Sequence, residues 1–209
     1  EKPPEAVFAA GEQLNVPLIV GTNRDEGTMF TGFGFSTSEQ FDTALTRTWG
    51  EDAKAVSELY PQGDGVPMAA NRYITDTWFL RASRVALEGS RNVSSNAWQY
   101  HFTRVNPANP AMGASHGSEI GYAFNTGRGL SGADAGEEDA ADQLLASAMI
   151  GYWTQFATKG DPNGAGQPNW PAYDKKRAYL ELGDTISTGN SLGSERLDLL
   201  DQLVSTGTE

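Results

Sequence analysis

VPLIVGTNRDEGTMF, residues 16–30, sets an apolar run directly against an arginine and two adjacent carboxylates. The run VPLIVG at 16–21 is short, β-branched and uncharged, the pattern of a strand buried in a parallel sheet. Parallel sheets are covered by helices, and their reactive groups sit on loops leaving the carboxyl ends of strands. Arg24, Asp25 and Glu26 occupy such a place, and Gly27 follows them. Successive side chains leaving a strand point to opposite sides, so only one of the two acids can face a given partner. The residues alone leave both acids open, and leave open the ordinary roles of a salt bridge to Arg24 or a helix cap.

Outward from this stretch the chain alternates between helical and extended patterns. In STSEQFDTALTRTWG, Ser36 and Glu39 have capping-box spacing, Phe41, Leu45 and Trp49 share a face, and Gly50 suits the C-terminal end. A short helix fits 51–60, stopped by Pro61, and 69–90 reads as helical with Tyr73, Thr77 and Leu80 on one stripe. NAWQYHFTRV at 96–105 alternates, with Trp98, Tyr100 and Phe102 on one face and His101, read as structural, on the other. Residues 137–158 form a long helix on which Ala141, Leu144, Leu145, Ala148, Met149, Tyr152, Trp153 and Phe156 make the core stripe. The acids Glu137, Glu138 and Asp139 suit its N-terminal dipole, and Lys159-Gly160 end it. RAYLELGD reads as a further strand and SERLDLLDQLV as a closing amphipathic helix. This order predicts an α/β layered fold.

The 209 residues carry a formal charge of −12, with no basic stripe that could displace counterions from a nucleic acid, so no nucleic-acid partner is expected. With no cysteine and two histidines far apart, neither disulfides nor a zinc site is expected, and no cofactor motif is present. No run reaches the roughly 18 apolar residues of a membrane span. Compartment is left open, the lack of cysteine leaning toward the cytoplasm. The start, EKPPEAVFAAGEQ, lacks Met and the pattern of a signal peptide and runs straight into a core strand, which suggests a fragment.

One loop is too long to be a mere connection: 106–136, rich in Gly, Pro, Asn and Ser, contains His116 between Gly113 and Gly117. A histidine and a carboxylate on loops above two strands are two members of a Ser-His-acid triad, in which the acid fixes the imidazole tautomer and the imidazole shuttles the proton. The competing reading of His116 is an ordinary surface histidine.

Three segments together, VPLIVGTNRDEGTMF, GASHGSEIGYAF (113–124) and MIGYWTQFATKGDPNGAGQPNWPAYD (149–174) followed by YLELGD, resemble the type B carboxylesterases. That is the α/β-hydrolase family of cholinesterase-like and para-nitrobenzyl-esterase-like enzymes. The resemblance spans nearly the whole chain in the family's order. It implies that residues 1–209 are the C-terminal part of a single α/β-hydrolase catalytic domain, with a small-molecule ester as substrate. Glu26 then matches the triad acid and His116 the triad histidine, with Asp25 pairing with Arg24 or a backbone donor. Glu119 matches a position standing behind the histidine, and Met29 and Phe30 match positions that line the substrate pocket, an ordinary core role being the alternative. The family's GxSxG nucleophile and glycine-rich oxyanion loop belong to an N-terminal portion not found in this sequence.

The sequence does hold one literal GxSxG, Gly189 to Gly193 around Ser191. Chain order argues against it, since α/β-hydrolases run Ser, acid, His, and DTIST intervenes after the strand. Ser191 or Ser194 is read instead as a helix cap. Asn92-Val93-Ser94 spells a glycosylation site and nothing more. The expected function is ester hydrolysis through an acyl-enzyme, this chain supplying acid and histidine. The alternatives are a non-catalytic binding or adhesion module on the same fold, or an inactive fragment.

Overall fold

The apolar run becomes the first of four strands in a computed structural model that describes residues 2–93, 96–127, 137–164 and 166–206. In chain order the elements are α1 (Pro4–Ala10), β1 (Leu18–Asn23), a 3₁₀ turn (Glu26–Phe30), α2 (Ser38–Trp49), α3 (Ala53–Leu59) and α4 (Val66–Ile74). A π-helical turn (Thr75–Leu80) leads into α5 (Arg81–Asn92), then β2 (Ala97–Phe102), α6 (Ile120–Phe124), α7 (Ala140–Lys159), β3 (Ala178–Leu182), β4 (Ile186–Asn190) and α8 (Ser194–Thr206). Strands β1, β2 and β3 are parallel in that order, with Leu18 opposite Ala97 and Tyr100 opposite Leu180. β4 folds back antiparallel on β3, Leu182 facing Ile186. The alternation of AYLEL buries Ala178, Leu180 and Leu182 on one face, as a two-residue period requires.

Each face of the sheet has its own core. Trp98, Phe102, Leu180 and Leu182 pack against Leu145, Met149 and Tyr152 of α7 and against Trp170. On the other side α5 lays Leu87 on Ala97, Leu18 and Val20, while Phe41, Leu45, Val56, Tyr73, Ile74, Leu197 and Leu200 join α2, α3, α4 and α8. The segment 149–174 is built around Trp170, which is fully buried. Its indole N–H donates to the Gln99 carbonyl at 2.9 Å, and the Asn163 side chain takes up both backbone groups of Trp170, at 2.8 and 3.0 Å.

Several expectations shift. β1 begins two residues later than predicted and is only half-buried from Leu18 to Gly21, because it lies at the end of the strand order. The α2 cap falls one residue on: Thr37 Oγ1 accepts from the Gln40 N–H at 3.2 Å and Gln40 Oε1 accepts from the Ser36 N–H at 3.0 Å. On α7, Leu144 is 72% exposed rather than core, and the capping box is Asp139 with Asp142. The predicted 69–90 helix extends from Val66 to Asn92, but the π turn within it breaks the assumed stripe, leaving Thr77 half-buried while Tyr73 and Leu80 are buried. β4 takes in most of DTIST, a strand that the sequence reading missed. Ser191 follows it in a left-handed conformation (φ 58°), exposed, its hydroxyl donating to the Lys176 carbonyl at 3.2 Å, and α8 starts at Ser194. Ser94 and residues 128–136 lie outside the described residues, while the Asn92 amide donates to the carbonyls of Phe8 and Ala9.

The end of β2 is tied to α7 by charge. Arg104, 7% exposed, reaches Asp139 at 2.6 Å, Asp142 at 2.8 Å and Asp184 at 2.6 Å. Asp142 is fully buried and also accepts from the Tyr122 hydroxyl at 2.7 Å, so the same cluster anchors α6. Removing one member of a buried ion pair strands the other. Arg104→Met is therefore expected to destabilise the protein by about 3–5 kcal/mol. Urea unfolding would check this, and a change well under 1 kcal/mol would contradict it.

Candidate active site

The pairing of β1 with β2 does not stop where the strands stop. The Arg24 N–H donates to the Phe102 carbonyl at 2.9 Å and the Asp25 N–H to the Ala114 carbonyl at 3.0 Å, and Asp25 bridges to Ser115 in parallel. The loop after β1 and the loop after β2 thus run side by side, which brings residues ninety positions apart together. Asp25 serves this docking. One carboxylate oxygen accepts from Arg24 Nε at 2.9 Å and the Ala114 N–H at 2.8 Å, the other from Asn71 Nδ2 at 3.2 Å. Gly113 is required opposite it. Its φ is +62°, and a Cβ there would lie 2.3 Å from Asp25 Oδ2.

Glu26 points the other way, as its place one residue on demands. It opens the 3₁₀ turn and is 5% exposed. Gly27 behind it sits too close to α4 for any side chain, a Cβ falling 2.4 Å from the Asn71 carbonyl oxygen. Glu26 Oε1 accepts from the Asn23 N–H at 2.8 Å, and Oε2 lies 2.7 Å from His116 Nδ1. Alternate N–H groups of β1 face β2, those of Leu18 and Arg24 among them, so the Asn23 N–H lies on the strand's open side and the glutamate takes it up.

His116 rides a turn closed by the Ser118 N–H on the Ser115 carbonyl at 3.0 Å, with the Ser118 hydroxyl donating to the same carbonyl at 2.7 Å. The imidazole is 46% exposed and is flanked by Phe30, ring centroids 5.5 Å apart, and Phe79, 5.0 Å apart. Phe30 also meets Trp78 and Phe33, which extend the aromatic wall toward solvent. Of the two predicted pocket residues, Phe30 touches the histidine, and Met29 beside it is 44% exposed. Glu119 accepts from Asn23 Nδ2 at 2.5 Å, and the same amide donates to the Ser115 carbonyl at 2.8 Å.

Sequence reasoning missed Asn23, Trp78 and Phe79. The rings are aimed by the π turn, which no simple helical period reveals. The signal for Asn23 was its place at the strand's carboxyl end, two residues before the acids.

Burial raises the proton affinity of Glu26, opposed by hydrogen bonds from Asn23 and His116 and reinforced by the charge of Glu119. With Nδ1 donating to Glu26, the lone pair of Nε2 is the proton acceptor, the tautomer needed by a general base. His101 is elsewhere, on the opposite face of β2, its proton affinity lowered by burial. Among the described residues no group of three His, Asp or Glu side chains could hold a metal ion, and no helix is long and apolar enough to cross a membrane.

Comparison with known proteins agrees on one family. A model described as "Carboxylesterase family" matches residues 1–200. Fumonisin B1 esterase of Sphingopyxis macrogoltabida is 30% identical over 193 residues, 89% of this chain and 36% of that protein. Para-nitrobenzyl esterase of Bacillus subtilis (strain 168) is 29% identical over 197 residues, 92% of this chain and 39% of that protein. A solved PNB esterase superposes with a TM-score of 0.75 at 27% identity over 94% of this chain and 41% of its own. A thermophilic PNB esterase gives a TM-score of 0.77 over 95% and 41%. The chain therefore has the architecture of part of an α/β-hydrolase, spanning roughly two fifths of the length of these relatives.

A carboxylate whose folded proton affinity is raised contributes most below its unfolded pKa, and that contribution is lost as pH rises through the folded value. At neutral pH the ionised acid is thus a burden on the fold. Glu26→Gln should melt at the same or a higher temperature than the parent at pH 8, the advantage vanishing below about pH 4. Its amide should donate to Nδ1 and drive His116 into the Nε2–H tautomer, readable in the imidazole ¹⁵N shifts. A clear loss of stability at pH 8 would contradict this.

Proposed function

The chain belongs to the carboxylesterase family, and we propose that it supplies the acid and the general base of a serine esterase. Glu26 is the acid, His116 the base, and the nucleophilic serine comes from an N-terminal portion outside these 209 residues. The observation that carries the reading is the 2.7 Å contact of His116 Nδ1 with a buried carboxylate whose other oxygen is already held by the Asn23 N–H. A carboxylate fixed at both oxygens holds the imidazole ring in one orientation.

The reaction then runs in two halves. His116 Nε2 takes the serine proton as the oxygen attacks the ester carbonyl, and Glu26, remaining ionised, stabilises the imidazolium. His116 returns that proton to the departing alcohol, leaving an acyl-enzyme. Water attacks next with the same histidine as base, releasing the acid and restoring the serine. Because Glu26 is buried, its charge is poorly screened and acts strongly on the adjacent ring. Phe30 and Phe79 keep the imidazole from turning and, with Trp78 and Phe33, offer an apolar wall to the ester.

The test is an assay with a short-chain nitrophenyl ester. The 209-residue chain alone should show no activity above background. The complete protein should turn over, and His116→Ala or Glu26→Gln within it should lower kcat by about 10⁴-fold. Ser191→Ala should leave the rate unchanged. A mild loss at His116 would overturn the role assignment, as would activity of the isolated chain that disappears with Ser191→Ala.

A further inference from the structure

Asn23, the last residue of β1, is 1% exposed, and every hydrogen-bond donor it has is spent at the site. Its peptide N–H holds Glu26 Oε1 at 2.8 Å. Its side-chain amide donates to the Ser115 carbonyl at 2.8 Å and to Glu119 Oε2 at 2.5 Å. Ser115 precedes His116 and Glu119 follows it, so one amide group grips both ends of the turn that carries the imidazole. The Oδ1 atom at the other end of the amide is buried without a hydrogen-bond partner among the described residues. Such a group is unfavourable in itself, so the side chain is held here by what its two donors accomplish.

We propose that Asn23 is a positioning residue of the triad: it clamps the His116 turn to the strand that holds Glu26, and it fixes the Glu119 charge at a set distance from the Glu26–His116 pair. This rests on the triad reading above and adds to it. The clamp acts on two quantities. Holding the Ser115 carbonyl fixes where the imidazole stands, and displacements of about 1 Å at such a site can cost on the order of 10²-fold in rate. Holding Glu119 sets how closely a second negative charge approaches the Glu26–His116 pair. Glu119 is an ionisable neighbour of Glu26, and its charge already contributes to the raised proton affinity there.

The experiment uses the complete enzyme and reads kcat, KM and the pH profile of kcat/KM, whose acid limb reports the base of the free enzyme. Asn23→Asp keeps the shape but removes both side-chain donors and sets a carboxylate against Glu119. It should lower kcat by about 100-fold with KM little changed, and move the acid limb to higher pH, since added negative charge holds the proton on His116. Glu119→Gln preserves an acceptor for Asn23 and removes the charge, so its acid limb should move to lower pH. Combining the two restores a single negative charge with donor and acceptor exchanged. The acid limb should then return toward the parent, while kcat stays low because the aspartate gives nothing to the Ser115 carbonyl.

A purely structural Asn23 would lower the melting temperature of Asn23→Asp but leave kcat per titrated active site and the acid limb unmoved, which would overturn the proposal. If Asn23→Asp fails to fold, Glu119→Gln decides alone, and an unmoved acid limb overturns it. His116→Ala in the same assay separates the two ideas. Retained activity there sinks the triad reading, whereas an inactive His116→Ala beside a parent-like Asn23→Asp sinks only the role of Asn23.

Discussion

Two loops leave neighbouring parallel strands, and the backbone pairing carries on for two residues beyond the end of β1. Backbone groups of Arg24 and Asp25 meet those of Phe102 and Ala114, so the ladder continues where the strands have formally ended. Parallel pairing makes this possible, because both chains point the same way and both deliver their loops to the same edge. Asp25 and Gly113 lock the junction, one by accepting the Ala114 N–H and the other by having no side chain where the carboxylate sits. Without that lock the distance between Glu26 and His116 would rest on the contacts of Asn23 alone.

The two adjacent acids divide the work by geometry. Asp25 faces Arg24, Asn71 and the Ala114 N–H at the junction, while Glu26 faces the imidazole from a buried position. Burial raises the free energy of the ionised form, and each hydrogen bond to it lowers that free energy again. The Asn23 N–H and the histidine are what keep a carboxylate in such a place. The fold thus bears a local electrostatic strain beside the imidazole, of a kind common at functional sites.

How far the sequence could be read depended on the kind of signal. A six-residue apolar run followed by acids announced β1 and its loop, although Pro17 and the exposed Val16 ahead of it moved the true start to Leu18. The alternation in 96–105 and in AYLEL gave the partner strands directly. β4 escaped because ISTGN has neither alternation nor a run of apolar residues; it exists because it can fold back on β3. Leu144 fitted the helical stripe by spacing and still lies on the open side of α7. The choice of Glu26 over Asp25 came from family resemblance, since either acid was open from the residues alone. Asn23 and Phe79 were invisible for a different reason: one acts through the direction of its amide and the other through a π turn, and neither leaves a periodic trace.

β1 stands at the end of the strand order, and along its open side alternate N–H groups face outward. The last of these, at Asn23, is already occupied by Glu26 Oε1. A further strand laid against β1 can therefore pair at Ile19, meets the Ser83 hydroxyl already on the Gly21 carbonyl, and must let go at Asn23. The glutamate works as a full stop for the sheet, setting the height at which any neighbouring chain has to peel away and, with it, the floor of the space above the strand ends.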